Sequence, residues 1–302
     1  MTTTRHSTAH HESPRAHPPR RAVVLGGGGV PGLAWMIGYL QGACDTGVGL
    51  ADADFAVGTS AGSVAATLLL TPHRLADAFA RLTDPTRLPH EAEAPHSDRG
   101  FAEALPRILP LARDEQAYAR AFLDLSGTVP GIAETVRARR QTMYDRTGTV
   151  RWPERDLRIT TLSSDRVERR VLTPDTEPDL VTALSASCAV PGVWPATRLS
   201  DGDTGIDAGM LSATHMELAA EAERIVVLRP VPNVQGPLRQ ESDVLDRAMV
   251  ITPDQLGPGA PSTRDPRSAS AAAGYRQATA DSERLRGYWN HGAQPGSSPE
   301  KR

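Results

Sequence analysis

Phe55-Ala56-Val57-Gly58-Thr59-Ser60-Ala61-Gly62-Ser63-Val64-Ala65-Ala66-Thr67-Leu68-Leu69-Leu70 is the stretch on which the fold turns. Phe55–Val57 is a short apolar run broken by Gly58, and Ser60–Leu70 reads as a buried helix. Between them, Gly58-Thr59-Ser60-Ala61-Gly62 is a Gly-x-Ser-x-Gly turn placed between a strand and a helix. Such a turn is tight enough to lift a serine hydroxyl clear of the sheet, and the small residues at Gly58 and Gly62 let neighbouring backbone pass close. The helix that follows points its positive end at the serine and favours negative charge developing there. Taken alone, the same residues equally describe a glycine-rich turn whose serine caps a helix.

Upstream lies a second turn of the same kind, Arg21-Ala22-Val23-Val24-Leu25 followed by Gly26-Gly27-Gly28-Gly29-Val30-Pro31-Gly32. Consecutive glycines expose backbone N–H groups and permit positive φ, which makes an anion-binding nest. Pro31 suits the first turn of a helix, where its missing N–H costs nothing. Because Pro31 cannot donate, the donors of an oxyanion site here would be Gly28 and Gly29, with Gly27 as backbone support. The same glycines also match the dinucleotide pattern G-x-G-x-x-G at Gly27, Gly29 and Gly32, with Asp52 and Asp54 in the zone where that pattern wants an acid. A non-catalytic nucleotide-binding α/β module is therefore one rival reading.

The alternation continues downstream. Leu157–Leu162, Arg169–Leu172 and Arg224–Leu228 read as strands. Trp35–Asp45, Asp179–Ser187 and Arg267–Trp289 read as helices, and residues 71–146 are mostly helical and charged, interrupted at Arg87–Gly100. Strands alternating with helices predict an α/β fold with a mainly parallel sheet. Residues 1–20, rich in Thr, His, Ser and Pro, and residues 290–302 read as disordered tails around a folded unit at 21–289. The tail histidines His6, His10, His11 and His17 have no fixed geometry with which to hold a metal.

A third element, Gly205-Ile206-Asp207-Ala208-Gly209, ends a short apolar step with an aspartate. It is either an ordinary turn Asp or the acid partner of a serine. In α/β-hydrolases the order is Ser, Asp, His. Only His215 and His291 follow Asp207; His291 falls in the expected tail, and His215 reads as a solvated or capping residue at the start of a helix. A Ser-His-Asp esterase using His215 is the second rival. A Ser-Asp pair needs no histidine.

In this order the motifs resemble those of the patatin-like phospholipases of the compact bacterial type: a G-G-G-x-[KR]-G turn at Gly27–Gly32, G-x-S-x-G at Gly58–Gly62, and D-G-[GA] at Asp207–Gly209. Ala183–Pro195 (ALSASCAVPGVWP) is similar to the family's A-S-x-A-x-P-G-x-x-P stretch. The resemblance covers roughly Arg21 to Leu228, with a family-like helix after it. It implies a three-layer α/β/α fold, and a serine acyl-ester hydrolase acting on lipids, with Ser60 as nucleophile, Asp207 as base and the Gly27–Gly29 backbone around the oxyanion. Gly58, Gly62, Ala208 and Gly209 support the turns. It implies no metal or cofactor and a lipid or acyl-ester substrate. Two positions depart: Pro31 stands where the family often has Lys or Arg, and the third motif reads Asp-Ala-Gly. A base near neutral pH predicts that Asp207 is buried and hydrogen-bonded to Ser60.

Composition narrows the alternatives. Of 302 residues, 33 are Lys or Arg, yet the only lysine is Lys301. That speaks against a Walker A loop, a pyridoxal Schiff base and a Ser-x-x-Lys acylase, each of which needs a placed lysine. Residues 1–21 carry Arg5, Arg15, Arg20 and Arg21 against Glu12, leaving the rest of a chain of net charge −3 distinctly acidic. An acidic body does not fit nucleic-acid binding. With Cys44 and Cys188 alone there is no disulfide framework. No apolar run approaches a membrane span, and Ala22–Leu25 is too short for a signal-peptide core. Mean hydropathy is −0.35. These features predict a cytoplasmic protein whose membrane contact, where made, is transient. Leu105, Ile108, Leu109 and Leu111 are candidates to hold an acyl chain.

Overall fold

A computed structural model describes residues 20–84, 86, 94, 98–231, 242–254 and 266–291. The expected tails, apart from Arg20, Asn290 and His291, lie outside the described residues, as do the four tail histidines. Eight strands are present among them: β1 Arg21–Leu25, β2 Phe55–Thr59, β3 Asp156–Ser163, β4 Glu168–Leu172, β5 Thr197–Arg198, β6 Thr204–Ile206, β7 Arg224–Leu228 and β8 Met249–Ile251. The helices are α1 Gly29–Asp45, α2 Ala61–Leu69, α3 Pro72–Thr83, α4 Asp98–Ile108, α5 Glu115–Ser126, α6 Ala133–Thr147, α7 Leu180–Ser187, α8 Ser242–Leu245 and α9 Pro266–His291.

The sheet runs β5-β6-β3-β2-β1-β7-β8, with β4 paired to β3. The pairs β1–β2, β1–β7, β2–β3 and β7–β8 are parallel, while β4, β5 and β6 add antiparallel pairings at one side. The centre is therefore parallel, as the alternating sequence predicts. Gly58 does not break β2: it stays in register with Leu25 and Ile159, and the strand continues to Thr59. Backbone pairing on both edges holds the glycine extended despite its weak strand preference.

Strand side chains alternate between faces. Val23 and Leu25 join α1, α2, α7 and α9 in the larger core. Ala22, Val24, Phe55 and Val57 face the other way, onto Met216, Ala219 and Val244. That second face is covered by short 3₁₀ turns and α8 rather than long helices, so the three-layer α/β/α arrangement is heavier on one side. α1 and α9 pack backbone to backbone. A Cβ on Gly38 would lie 1.9 Å from the Ala271 carbonyl oxygen, and one on Gly274 2.1 Å from that of Trp35. Leu105 and Ile108 pack with Tyr118, Phe122 and Ile206 in a satellite cluster. No helix of the described residues is long and apolar enough to cross a membrane.

Candidate active site

The three motif turns meet at the C-terminal ends of the central parallel strands, where open α/β sheets place their ligand crevice. Gly27, Gly28, Gly29, Ser60, Asp207 and Gly209 all line one cavity of about 530 Å³.

Ser60 sits between β2 and α2 with φ 54°, ψ −124°. This left-handed backbone is rare for a residue with a side chain and marks local strain. It is over-determined by neighbours. The Ser60 N–H donates to Ser187 Oγ at 2.9 Å, and Ser63 Oγ–H donates to the Ser60 carbonyl at 2.6 Å. The flanking glycines are dictated by crowding: a Cβ on Gly58 would lie 2.5 Å from Ser63 Cα, and one on Gly62 1.9 Å from the Leu25 carbonyl oxygen. Ser60 itself is 8% exposed, its surface turned to the cavity.

The glycine turn divides its labour. The N–H groups of Gly26 and Gly27 donate to the carbonyls of Leu228 and Ala213. Gly27 therefore serves as backbone support, tying the turn to a neighbouring loop through Ala213. Among the described residues, the N–H groups of Gly28 and Gly29 meet no acceptor. They stand at the N-terminus of α1, where orphan donors and the helix dipole favour an anion. Pro230 presses on this turn, 2.6 Å from where a Cβ of Gly28 would be.

Asp207 is 2% exposed and is held by its own backbone: its N–H donates to the Ala189 carbonyl, and Gly209 N–H donates to Oδ1 at 2.8 Å. The Ser60 hydroxyl faces the same cavity as the carboxylate and is near enough to pull its pKa down. Burial pushes the Asp207 carboxyl up to about 6, against the lowering pull of Ser60, the Gly209 N–H and the positive charge of Arg139. Ala208 explains the Asp-Ala-Gly departure. Its φ is not positive, so a Cβ costs no strain, and that Cβ is buried in an apolar cluster with Leu162, Ile206 and Leu211.

Two residues that the sequence left obscure stand nearby. Arg139, from α6, is 8% exposed and lines the cavity. It stacks over Trp194 at 4.2 Å and donates from Nη2 to the Cys188 carbonyl at 2.8 Å. An arginine from a distant helix thus supplies positive charge that Pro31 cannot. His215 is fully buried and is not solvated as expected. Its Nε2 is 3.0 Å from the Ala208 carbonyl and its Nδ1 3.2 Å from Glu217 Oε1, and it does not line the cavity. Both ring nitrogens are occupied away from Ser60, which disfavours the His215 triad. The expected acyl-chain residues Leu105, Ile108, Leu109 and Leu111 do not line the cavity either; Phe101, Val190, Val193, Trp194 and Met210 do.

The dinucleotide reading also loses its acid. The Asp54 carboxylate accepts from the Arg21 N–H and its own N–H donates to the Arg21 carbonyl. Asp54 therefore lies at the opposite end of β1 from Gly26, roughly 13–17 Å away at strand rise.

Residues 23–220 match the protein-family model described as Patatin-like phospholipase. No curated relative matches. Among solved structures, VipD from Legionella pneumophila is similar at 15% identity and TM-score 0.45, over 89% of this chain and 67% of that one. The type III effector protein ExoU, from Pseudomonas aeruginosa, is similar at 16% identity and TM-score 0.36, over 89% of this chain and 54% of that one. The chain thus spans about half the length of ExoU. The family match takes in well over half of the residues, including all three motif turns, and the chain belongs to the patatin-like phospholipases, a family of lipid acyl hydrolases.

Proposed function

We propose that the protein hydrolyses acyl esters of lipids, as a phospholipase, lysophospholipase or esterase, through a Ser60–Asp207 pair without histidine. One observation carries the reading: a buried carboxylate, raised by burial to about 6, shares a cavity with a serine on a strained strand-to-helix turn and feels its hydroxyl. A carboxyl with an ordinary value near 3.9 is a poor base at neutral pH. Raised toward the working pH, it is a competent one.

In this mechanism Asp207 takes the Ser60 proton as Oγ attacks the ester carbonyl carbon. The negative charge on the carbonyl oxygen is met by the N–H groups of Gly28 and Gly29 and the α1 terminus; one such donor is worth about 10²–10³ in rate. Collapse expels the alcohol, which leaves with the proton from Asp207. Asp207 then deprotonates a water that cleaves the acyl-enzyme and returns Ser60. The apolar wall from Phe101 to Trp194 suits an acyl chain. The catalytic unit in this reading is 21–289.

The test is acyl-product analysis on a mixed lipid panel with wild type, Ser60→Ala and Asp207→Asn. Both variants should fold and release no acyl product, and a fluorophosphonate probe should label the wild type at Ser60. Wild-type turnover by Ser60→Ala overturns the mechanism.

A further inference from the structure

His215 occupies a place that its local sequence does not justify. It is fully buried, and its backbone is left-handed, with φ 50°. Ser212 Oγ accepts its N–H at 2.9 Å. Both neighbours of the ring are acceptors. The Ala208 carbonyl carries no proton to give. The Glu217 carboxyl is an acceptor too: burial alone would raise it, yet it lies below the usual carboxylate range, with the charge of Arg169 among the causes. Arg169 Nη1, from β4, pairs with the same Oε1 that faces Nδ1. A neutral imidazole has a single N–H. It would leave one of these oxygens facing a nitrogen lone pair. Two donors are needed, and only the imidazolium has them.

We infer that His215 is a positioning residue of the hydrolytic site: a buried imidazolium, locked by Glu217 and Arg169, whose Nε2–H holds the Ala208 carbonyl and so fixes the turn that aims Asp207 at Ser60. This rests on the Ser60–Asp207 reading above. Asp207 N–H on Ala189 and Gly209 N–H on Asp207 Oδ1 hold that turn, and the Ala208 carbonyl accepts from Leu211 N–H at 2.9 Å and Ser212 N–H at 3.4 Å as well as facing His215 Nε2. Of the contacts on the Ala208 carbonyl, that of His215 is the charge-assisted one, and such bonds are about twice as strong as neutral ones. The charged groups around the ring are Glu217 on its own turn, Arg169 on β4 and Asp207 itself.

The test has a spectroscopic and a kinetic arm on the full chain. In ¹⁵N-histidine-labelled protein at pH 7, His215, assigned by its loss in His215→Gln, should show protons on both ring nitrogens. An unprotonated nitrogen there overturns the inference, whatever the variants do. In kinetics, His215→Ala should lower kcat by about tenfold or more with little change in KM, the signature of a lost transition-state contribution. His215→Gln, whose amide N–H reaches for the same carbonyl, should recover most of it, which a general base would not permit. Because the charge is gone in both, the acid limb of the pH profile should move to higher pH in His215→Gln even as kcat returns. Wild-type kcat in His215→Ala, or a folded His215→Gln as impaired as His215→Ala, sinks the inference. Ser60→Ala run alongside separates the two readings: residual turnover there removes the Ser60–Asp207 mechanism itself. An inactive Ser60→Ala beside an unaffected His215→Ala removes the role of His215 alone.

Discussion

The Cα of Gly62 backs onto the carbonyl oxygen of Leu25, so close that a Cβ would lie 1.9 Å from it. Leu25 ends β1 and Gly62 lies in the first turn of α2, so this contact sets how deeply the serine turn sits against the glycine turn. Gly62→Ala should cost about 3 kcal/mol or more, because both clashing groups are backbone and neither can swing aside. Chemical denaturation measures it; a loss under about 1 kcal/mol contradicts this packing.

Asp207 gives a pH signature in both rate and stability. As a base it acts only when ionised, so kcat/KM should fall below a midpoint near pH 6. For stability the sign is opposite to that of a salt-bridged acid. A carboxyl whose folded value is raised binds its proton more tightly when folded, so its stabilising contribution is present at low pH and is lost as pH rises from about 4 to 6. With burial of 98% or so the loss is about 2–3 kcal/mol. Asp207→Asn cannot ionise and should gain in Tm over wild type between pH 5 and pH 8. An unchanged Tm difference across that range speaks against the raised carboxyl.

Arg139 lowers the Asp207 value through its charge. Replacing it with Gln should move the acid limb of kcat/KM to higher pH, whereas Arg139→Lys, which keeps the charge, should leave the midpoint near that of wild type. Both lose the planar stack on Trp194 and the bond to Cys188, which together are worth about 1–3 kcal/mol. A pH titration of the three proteins under identical salt distinguishes charge from packing.

Ala208→Gly restores the family's commoner motif and tests whether the departure matters. Since Ala208 adopts an ordinary backbone and buries its methyl, the variant should lose about 1–2 kcal/mol in stability, from chain entropy and lost apolar contact. Its kcat should stay within about twofold of wild type. A large rise in kcat would mean that the Ala208 methyl impedes the turn.

Much of this arrangement was legible in the chain because glycine requirements are local. Leu25–Gly32, Gly58–Gly62 and Asp207–Gly209 each join short elements, and β1 and β7 fall where Arg21–Leu25 and Arg224–Leu228 put them. The family match agrees. What stayed hidden depends on long-range packing. α6 carries Arg137, Arg139, Arg140 and Arg146 with little amphipathic pattern, and nothing local tells that Arg139 and Arg146 turn to the cavity. His215 sits among polar residues, and its burial follows from β4 bringing Arg169 to Glu217 and from the Asp207 turn bringing Ala208 to the ring. β5, β6 and β8 have two or three residues each, too few for a periodic signal. Likewise Leu105 and Ile108 have a helical apolar stripe whose partner, a core or a cavity, the stripe itself does not name.

Two positions in this molecule work against its own endurance. Ser60 is bent into a left-handed backbone, and Asp207 is a carboxylate kept from water. Selection for heat resistance alone would favour a glycine at the first and an asparagine at the second. A laboratory search for tougher versions of this chain, screened only for survival, should therefore drift toward inert ones, and it needs a turnover assay at every round to keep the pair in place.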